Sequence, residues 1–187
     1  MARLVLLAML ITLVAAMASG VQAQDDVKWA KRVDSGKEVV STLQFYFHDV
    51  LSGRNPSAVR IAQASQANST PNGFGSLMMV DDPLTVGPDP NSRLVGRARG
   101  MYGSAGQTDF GLVMVMCYEF LDGTYKDSSF SILSINPALN PVREMTVVGG
   151  TGLFRLARGY AIAQTYSLDP TTGDAVVGYN VTLATYI

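Results

Sequence analysis

The side chains with the widest chemical reach are scarce in this sequence. It has one histidine, His48, and one cysteine, Cys117, in 187 residues. Zinc, copper and haem centres usually draw on His and Cys, and one of each cannot build the common versions. The expectation is no metal and no cofactor, with any accompanying oxidation performed by a separate catalyst. A Ser-His-Asp hydrolase stays arithmetically possible, but no Gly-x-Ser-x-Gly elbow occurs. Gly149-Gly150-Thr151-Gly152 lacks a following Lys-Ser/Thr and the Gly-x-Gly-x-x-Gly spacing, so it reads as a β-turn rather than a nucleotide loop. Cys117 ends the apolar run Val113–Cys117 and reads as a buried, inert thiol. Arg97 and Arg99 share one strand face and read as partners of cross-strand carboxylates. Asp49 closes an apolar-faced run directly before a loop. Its position alone leaves two readings open, a strand-end carboxylate accepting backbone N–H groups or a pocket acid. His48 points away from the Phe47 face by alternation and reads as a structural or interface histidine.

The elements that must hold these groups have a period of two. Leu43, Phe45 and Phe47 alternate with Thr42, Gln44, Tyr46 and His48, which describes a strand with one apolar face. Further strands are predicted over 58–64, 75–80, 93–102, 111–121, 127–135, 143–148, 158–166 and 175–186. Turn chemistry separates them at Ser52–Pro56, Pro71–Gly73, Asp81-Asp82-Pro83, Gly87–Pro90, Asp122-Gly123, Asn136-Pro137 and Asp169-Pro170. Outside the first two dozen residues no long window carries a 3.6-residue apolar stripe, so the class is all-β, a sandwich or a closed barrel. Leu112, Met114, Met116, Tyr118 and Phe120 occupy one side of their strand, and Val113, Val115 and Cys117 the other. A strand apolar on both faces predicts one face inside a barrel and the other covered by a second subunit. Phe45, Phe47, Phe130, Phe154 and Tyr160 read as core aromatics except where they reach a barrel mouth.

The N-terminus reads as a secretory signal peptide over 1–23. Arg3 precedes an apolar run from Leu4 to Ala18, and Val21-Gln22-Ala23 resembles a cleavage site. The run is shorter than the roughly 20 residues of a membrane span, so the expectation is a secreted chain with no membrane association. Residues 24–40 are polar and mixed and read as a poorly ordered arm, leaving 41–187 as the folded domain. With 14 Lys and Arg against 15 Asp and Glu, there is no basic footprint for nucleic acid. Two glycosylation sequons occur, at Asn68 and Asn180.

Four ordered blocks carry a family resemblance. Phe45-Tyr46-Phe47-His48-Asp49 resembles the opening strand of plant dirigent proteins. Gly96-Arg97-Ala98-Arg99-Gly100-Met101-Tyr102 is similar to their second block, and Val147 through Ala161 to their most specific one. Gly123-Thr124-Tyr125 through Phe130-Ser131-Ile132-Leu133 falls between these in the same order. The resemblance implies an eight-stranded antiparallel β-barrel of the allene oxide cyclase/lipocalin-like, up-and-down kind. It also implies secretion to the apoplast and assembly as a homo-oligomer, a dimer or a trimer. The implied activity is stereochemical control over the coupling of phenoxy radicals, made from coniferyl alcohol-type monolignols by an external laccase or peroxidase, in lignan biosynthesis. A dehydratase or cyclase acting on a phenolic alcohol, and a non-catalytic wall-associated defence protein, are the alternatives on the same barrel.

Carried over residue by residue, the resemblance implies Asp49 as the acid, Tyr102 as a phenol hydrogen-bond partner and Arg143 as the group for an anionic or electron-rich oxygen. The residues alone leave Arg143 between this role and that of a solvated surface charge beside Glu144. Asn136 and Phe47 are expected to contact the substrate. Pinoresinol-forming members carry an aspartate where this chain has Asn136, and an amide cannot protonate a quinone methide. The family's paired terminal cysteines are also missing, which places the chain in a subgroup without that staple.

Overall fold

The period-two pattern becomes nine strands in the computed structural model, which describes residues 36–65, 67 and 70–186. They are β1 (Glu38–Asp49), β2 (Ala58–Gln63), β3 (Ser76–Thr85), β4 (Leu94–Ser104), β5 (Gly111–Phe120), β6 (Ser129–Pro137), β7 (Arg143–Thr151), β8 (Arg158–Leu168) and β9 (Ala175–Tyr186). All neighbours are antiparallel in the order β1-β9-β8-β7-β6-β5-β4-β3-β2, and β1 also pairs with β3. That last pairing closes β1 and β3 to β9 into an eight-stranded barrel, with β2 running alongside β3 as a ninth strand. The predicted signal peptide, most of the arm and Asn68 lie outside the described residues. β1 begins at Glu38, within the last residues of the segment that the sequence reads as a loose arm.

Three stretches expected to be turns are not turns. Asp81-Asp82-Pro83 lies within β3, at the point where its neighbour changes. β2 accompanies β3 as far as Val80, and β1 takes over at Leu84. Between them Asp81 N–H reaches the Ser57 carbonyl at 2.8 Å. Pro83, with no N–H to leave unpaired, occupies the gap where a ladder donor is not needed. Asn136-Pro137 forms the end of β6 and pairs with Leu112 and Gly111. Gly149, Gly150 and Thr151 extend β7, and a short 3-10 turn over Gly152–Phe154 follows. A Cβ on Gly150 would come within 2.6 Å of the Ser129 and Phe154 carbonyl oxygens, so only glycine fits this crossing.

The barrel interior is packed with rings at one end. Tyr118 stacks on Phe130 with centroids 4.8 Å apart, and Phe45 stacks on Tyr179 at 5.5 Å. Phe120 and Phe154 close the cluster, and the Tyr118 hydroxyl donates to the Tyr179 oxygen at 3.1 Å. Tyr160, expected in this core, is instead exposed on β8. Cys117, expected to be buried, is only half-buried, because it points outward from the β5 face that leaves Val115 exposed. Arg97 and Arg99 both pair with Asp81, and Arg99 also with Glu119, across the outer face. His48 is buried with Nε2 2.6 Å from Thr85 Oγ1. Since Thr85 Oγ1 gives its own hydrogen to the Gly87 carbonyl, His48 Nε2 must be the donor. Burial lowers its pKa, and the ring serves as a neutral structural clasp.

Candidate functional site

At the opposite end the inward positions turn polar. Phe45, Phe47 and Asp49 point inward in succession along β1, so alternation carries the Asp49 carboxyl from the aromatic cluster towards the barrel mouth. β4 contributes Tyr102, β6 Asn136 and β7 Arg143. Together with Phe47, all five residues line one cavity of about 520 Å³. Its walls are otherwise mainly apolar, with Leu112, Met114, Val177 and the ring of Tyr179. A concave, apolar space of this size with a few converging polar groups suits a small, mainly apolar ligand.

Loop connections hold the rim. Asp174, after β8, accepts the Leu51 and Ser52 N–H groups at 2.8 and 3.0 Å and the Ser52 hydroxyl at 2.5 Å, tying the β1–β2 and β8–β9 connections together. Asn72 Nδ2 donates to the Gly106 and Asp109 carbonyls, both at 2.6 Å, and joins the β2–β3 and β4–β5 connections in the same way.

Asp49 Oδ2 accepts the Tyr102 hydroxyl at 2.8 Å, while Oδ1 is buried without a hydrogen-bond partner. Burial raises the carboxyl pKa to about 6 although the Tyr102 bond opposes the shift, and the nearby Asp174 charge adds to the rise. The same burial, with Asp49 alongside, pushes the Tyr102 phenol far above its ordinary value and keeps its proton on. Asp49 is therefore poised to give or take a proton near neutral pH through Oδ1, with Tyr102 holding its other oxygen.

Arg143 is 3% exposed, which excludes the surface-charge reading. Its Nε donates to Asn136 Oδ1 at 3.2 Å, and Nη1 donates to the Asn140 carbonyl at 3.2 Å and to Thr165 Oγ1 at 2.8 Å. Burial lowers its pKa, but a guanidinium starts so high that it remains a cation. All three acceptors are neutral. Asn136 thus acts as the holder of Arg143, and the one buried carboxyl of the lining is Asp49; the other, Asp169, sits on the exposed rim. Asn180 lies midway along β9 on its exposed outer face, opposite Gln44. Among the described residues no group of three or more His, Cys, Asp or Glu is placed to hold a metal ion.

One acidic residue of this region was not anticipated. Asp82, on β3, is 0% exposed. Its Oδ1 lies 2.5 Å from Ser57 Oγ, and its Oδ2 has no partner. Burial and the neighbouring Asp49 raise its pKa to about 8. Its signal was the inward series Met78, Val80, Asp82, Leu84, which the turn-like Asp81-Asp82-Pro83 sequence masked.

Comparison with known proteins gives these residues a context. The model of the dirigent-like protein family matches residues 40–184. The chain is 53% identical to Dirigent protein 23 of Arabidopsis thaliana, over 95% of this chain and 94% of that protein. It is 51% identical to Pterocarpan synthase 1 of Glycyrrhiza echinata, with 78% of each chain covered. The solved structure of the pterocarpan synthase dirigent protein GePTS1 is similar with a TM-score of 0.73 and 48% identity, covering 82% of this chain and 89% of that one.

Proposed function

The chain belongs to the dirigent family, and from that premise we propose that it is an acid-assisted dehydratase and cyclase acting on a phenolic alcohol. The observation that carries this reading is Asp49, a buried carboxyl with one oxygen held by Tyr102, the other unpartnered, and a pKa raised to about 6. In the proposed reaction Asp49 gives its proton to a benzylic hydroxyl, the C–O bond breaks and water leaves. The conjugated phenol releases its own proton, which restores Asp49, and a neutral quinone methide results. A second hydroxyl of the same molecule adds to the exocyclic carbon, and its proton passes to the quinone oxygen. The sum is the loss of one water with no change in oxidation state. Arg143 stabilises the charge that develops on the phenolic oxygen, and the apolar walls keep bulk water from adding in place of the internal hydroxyl. The pterocarpan synthases at about half identity support this reading, since a pterocarpan is the ring-closed, dehydrated form of a hydroxyisoflavanol.

The test is incubation of purified protein with a hydroxyisoflavanol and no oxidant. Cyclised product that depends on Asp49 supports the reading; equal product from Asp49→Asn removes it. Turnover should fall as pH rises through about 6, because the acid form of Asp49 is the reactive one.

Stereochemical control over phenoxy-radical coupling is the second reading, favoured by a cavity of about 520 Å³ that is roomy enough for two phenolic rings. It separates from the first by its requirement for an external laccase or peroxidase. In either case the protein acts as a secreted, apoplastic homo-oligomer. Val115, Leu133, Ile135 and Val148 form an exposed apolar stripe across the outer face of β5, β6 and β7, which a second copy would cover. Light scattering should give a mass above that of the 20.0 kDa chain.

A further inference from the structure

We propose that Asp82, acting through Ser57, is a positioning residue that sets the direction of the Asp49 carboxyl in the cavity. The inference rests on the reading of Asp49 as the acid. Three contacts converge on Ser57. Its Oγ accepts the Val50 N–H at 3.1 Å, lies 3.4 Å from the His48 carbonyl oxygen and lies 2.5 Å from Asp82 Oδ1. His48 and Val50 are the two chain neighbours of Asp49, so Ser57 grips the backbone on both sides of it. The Ser57 N–H reinforces the grip by donating to the Val50 carbonyl at 2.8 Å.

Ser57 has one hydroxyl hydrogen and two acceptors within reach. Both are satisfied together only when Asp82 carries its own proton and donates it to Ser57 Oγ, which frees the Ser57 hydrogen for the His48 carbonyl. An ionised Asp82 would leave that carbonyl without the bond and a charged Oδ2 buried and unpartnered. The surroundings agree. Asp82 is faced by Asp49 and Asp81, with Arg97 as the opposing charge, and it stays protonated to about pH 8. Asp49, faced by Tyr102, Asp174 and Asp82 itself, has the lower pKa, about 6, and titrates first. Asp82 is thus a neutral donor throughout the range in which Asp49 gains and loses its proton.

The experiment compares wild type, Asp82→Asn, Asp82→Ala and Ser57→Ala by the carbon-13 carboxyl titration of Asp49 in ligand-free protein, beside turnover of a hydroxyisoflavanol. The Asn amide can still donate to Ser57 Oγ. Asp82→Asn should therefore keep the Asp49 midpoint and wild-type turnover. Asp82→Ala and Ser57→Ala should lower the midpoint towards the ordinary carboxylate range and cut kcat about tenfold to a hundredfold with KM unchanged. A purely structural Asp82 would lower Tm and leave the Asp49 titration where it is. The inference is overturned if the midpoint is the same in all four proteins, or if Asp82→Asn is as damaged as Asp82→Ala. Because the titration needs no substrate, it reports on Asp82 even if Asp49 proves not to be the acid of the reaction.

Discussion

The two ends of the barrel interior are built by the same strands and do opposite things. β1 supplies Phe45 to the ring cluster and Asp49 to the cavity; β5 supplies Tyr118 to the first and Met114 to the second. In the cluster every ring packs on others, and the buried phenols Tyr118 and Tyr179 share a hydrogen bond. In the cavity the polar groups are held from one side only. Asp49 keeps a bare Oδ1, and Arg143 is surrounded by neutral acceptors. The closed end supplies stability that the open end does not, and the open end keeps groups whose partners are incomplete, as a site for another molecule requires.

The contrast can be broken at either end. Phe130→Ala, in the middle of the cluster, should cost about 3–5 kcal/mol in denaturant unfolding, because rings on every side leave no room for collapse into the hole. The polar end should make stability depend on pH. Asp49 and Asp82 have folded-state pKa values raised from 3.8 to about 6 and about 8. The folded state therefore holds their protons longer than the unfolded chain. Stability is fully present below about pH 4 and is lost as pH rises through 6 and 8, by on the order of a few kcal/mol. Tm measured across that window should fall, and Asp82→Asn should flatten the upper part of the fall. Asp49→Asn should keep the fold, with Tm at neutral pH unchanged or higher, while turnover drops about a hundredfold, equivalent to about 2.7 kcal/mol of barrier.

Two smaller changes sharpen the comparison. Tyr118→Phe removes one hydroxyl from the closed end and should cost about 1 kcal/mol in stability with no effect on turnover. Asn136→Asp places a carboxylate against Arg143 Nε, where the two groups already meet at 3.2 Å, and should change stability by less than about 1 kcal/mol. With laccase and coniferyl alcohol it should raise the enantiomeric excess of the coupled product above that of the parent chain. Chiral chromatography reads this directly, and an unchanged excess would remove Asn136 as the residue separating the two activities.

The sequence made the strands legible because alternation is a local property. The alternation over 175–186 coincides with β9, and that over 111–121 runs one residue past the end of β5. What it concealed were places where a local turn signal yields to the neighbouring strand. Asp81-Asp82-Pro83 has the composition of a turn, yet it is the point where β3 exchanges β2 for β1, a relation between segments far apart in the chain. Asp82 was hidden with it. Asp49, Tyr102, Asn136 and Arg143 are spread over about a hundred residues, and their convergence on one cavity depends on barrel closure. The block resemblance named them; spacing alone could not. Arg143 shows the same limit, since its neighbour Glu144 suggests a solvated face while alternation on β7 sends the two to opposite sides.

The central claim is that one buried acid, Asp49, performs the chemistry without an oxidant. Its most direct test is the pH dependence of kcat on a hydroxyisoflavanol, measured with no laccase or peroxidase present, for the parent chain and Asp49→Asn. The expected result is cyclised product from the parent chain, with kcat falling through a midpoint near 6, and a low, flat profile for Asp49→Asn. Product that forms only when an oxidant is added, or the same falling limb in both proteins, would contradict it.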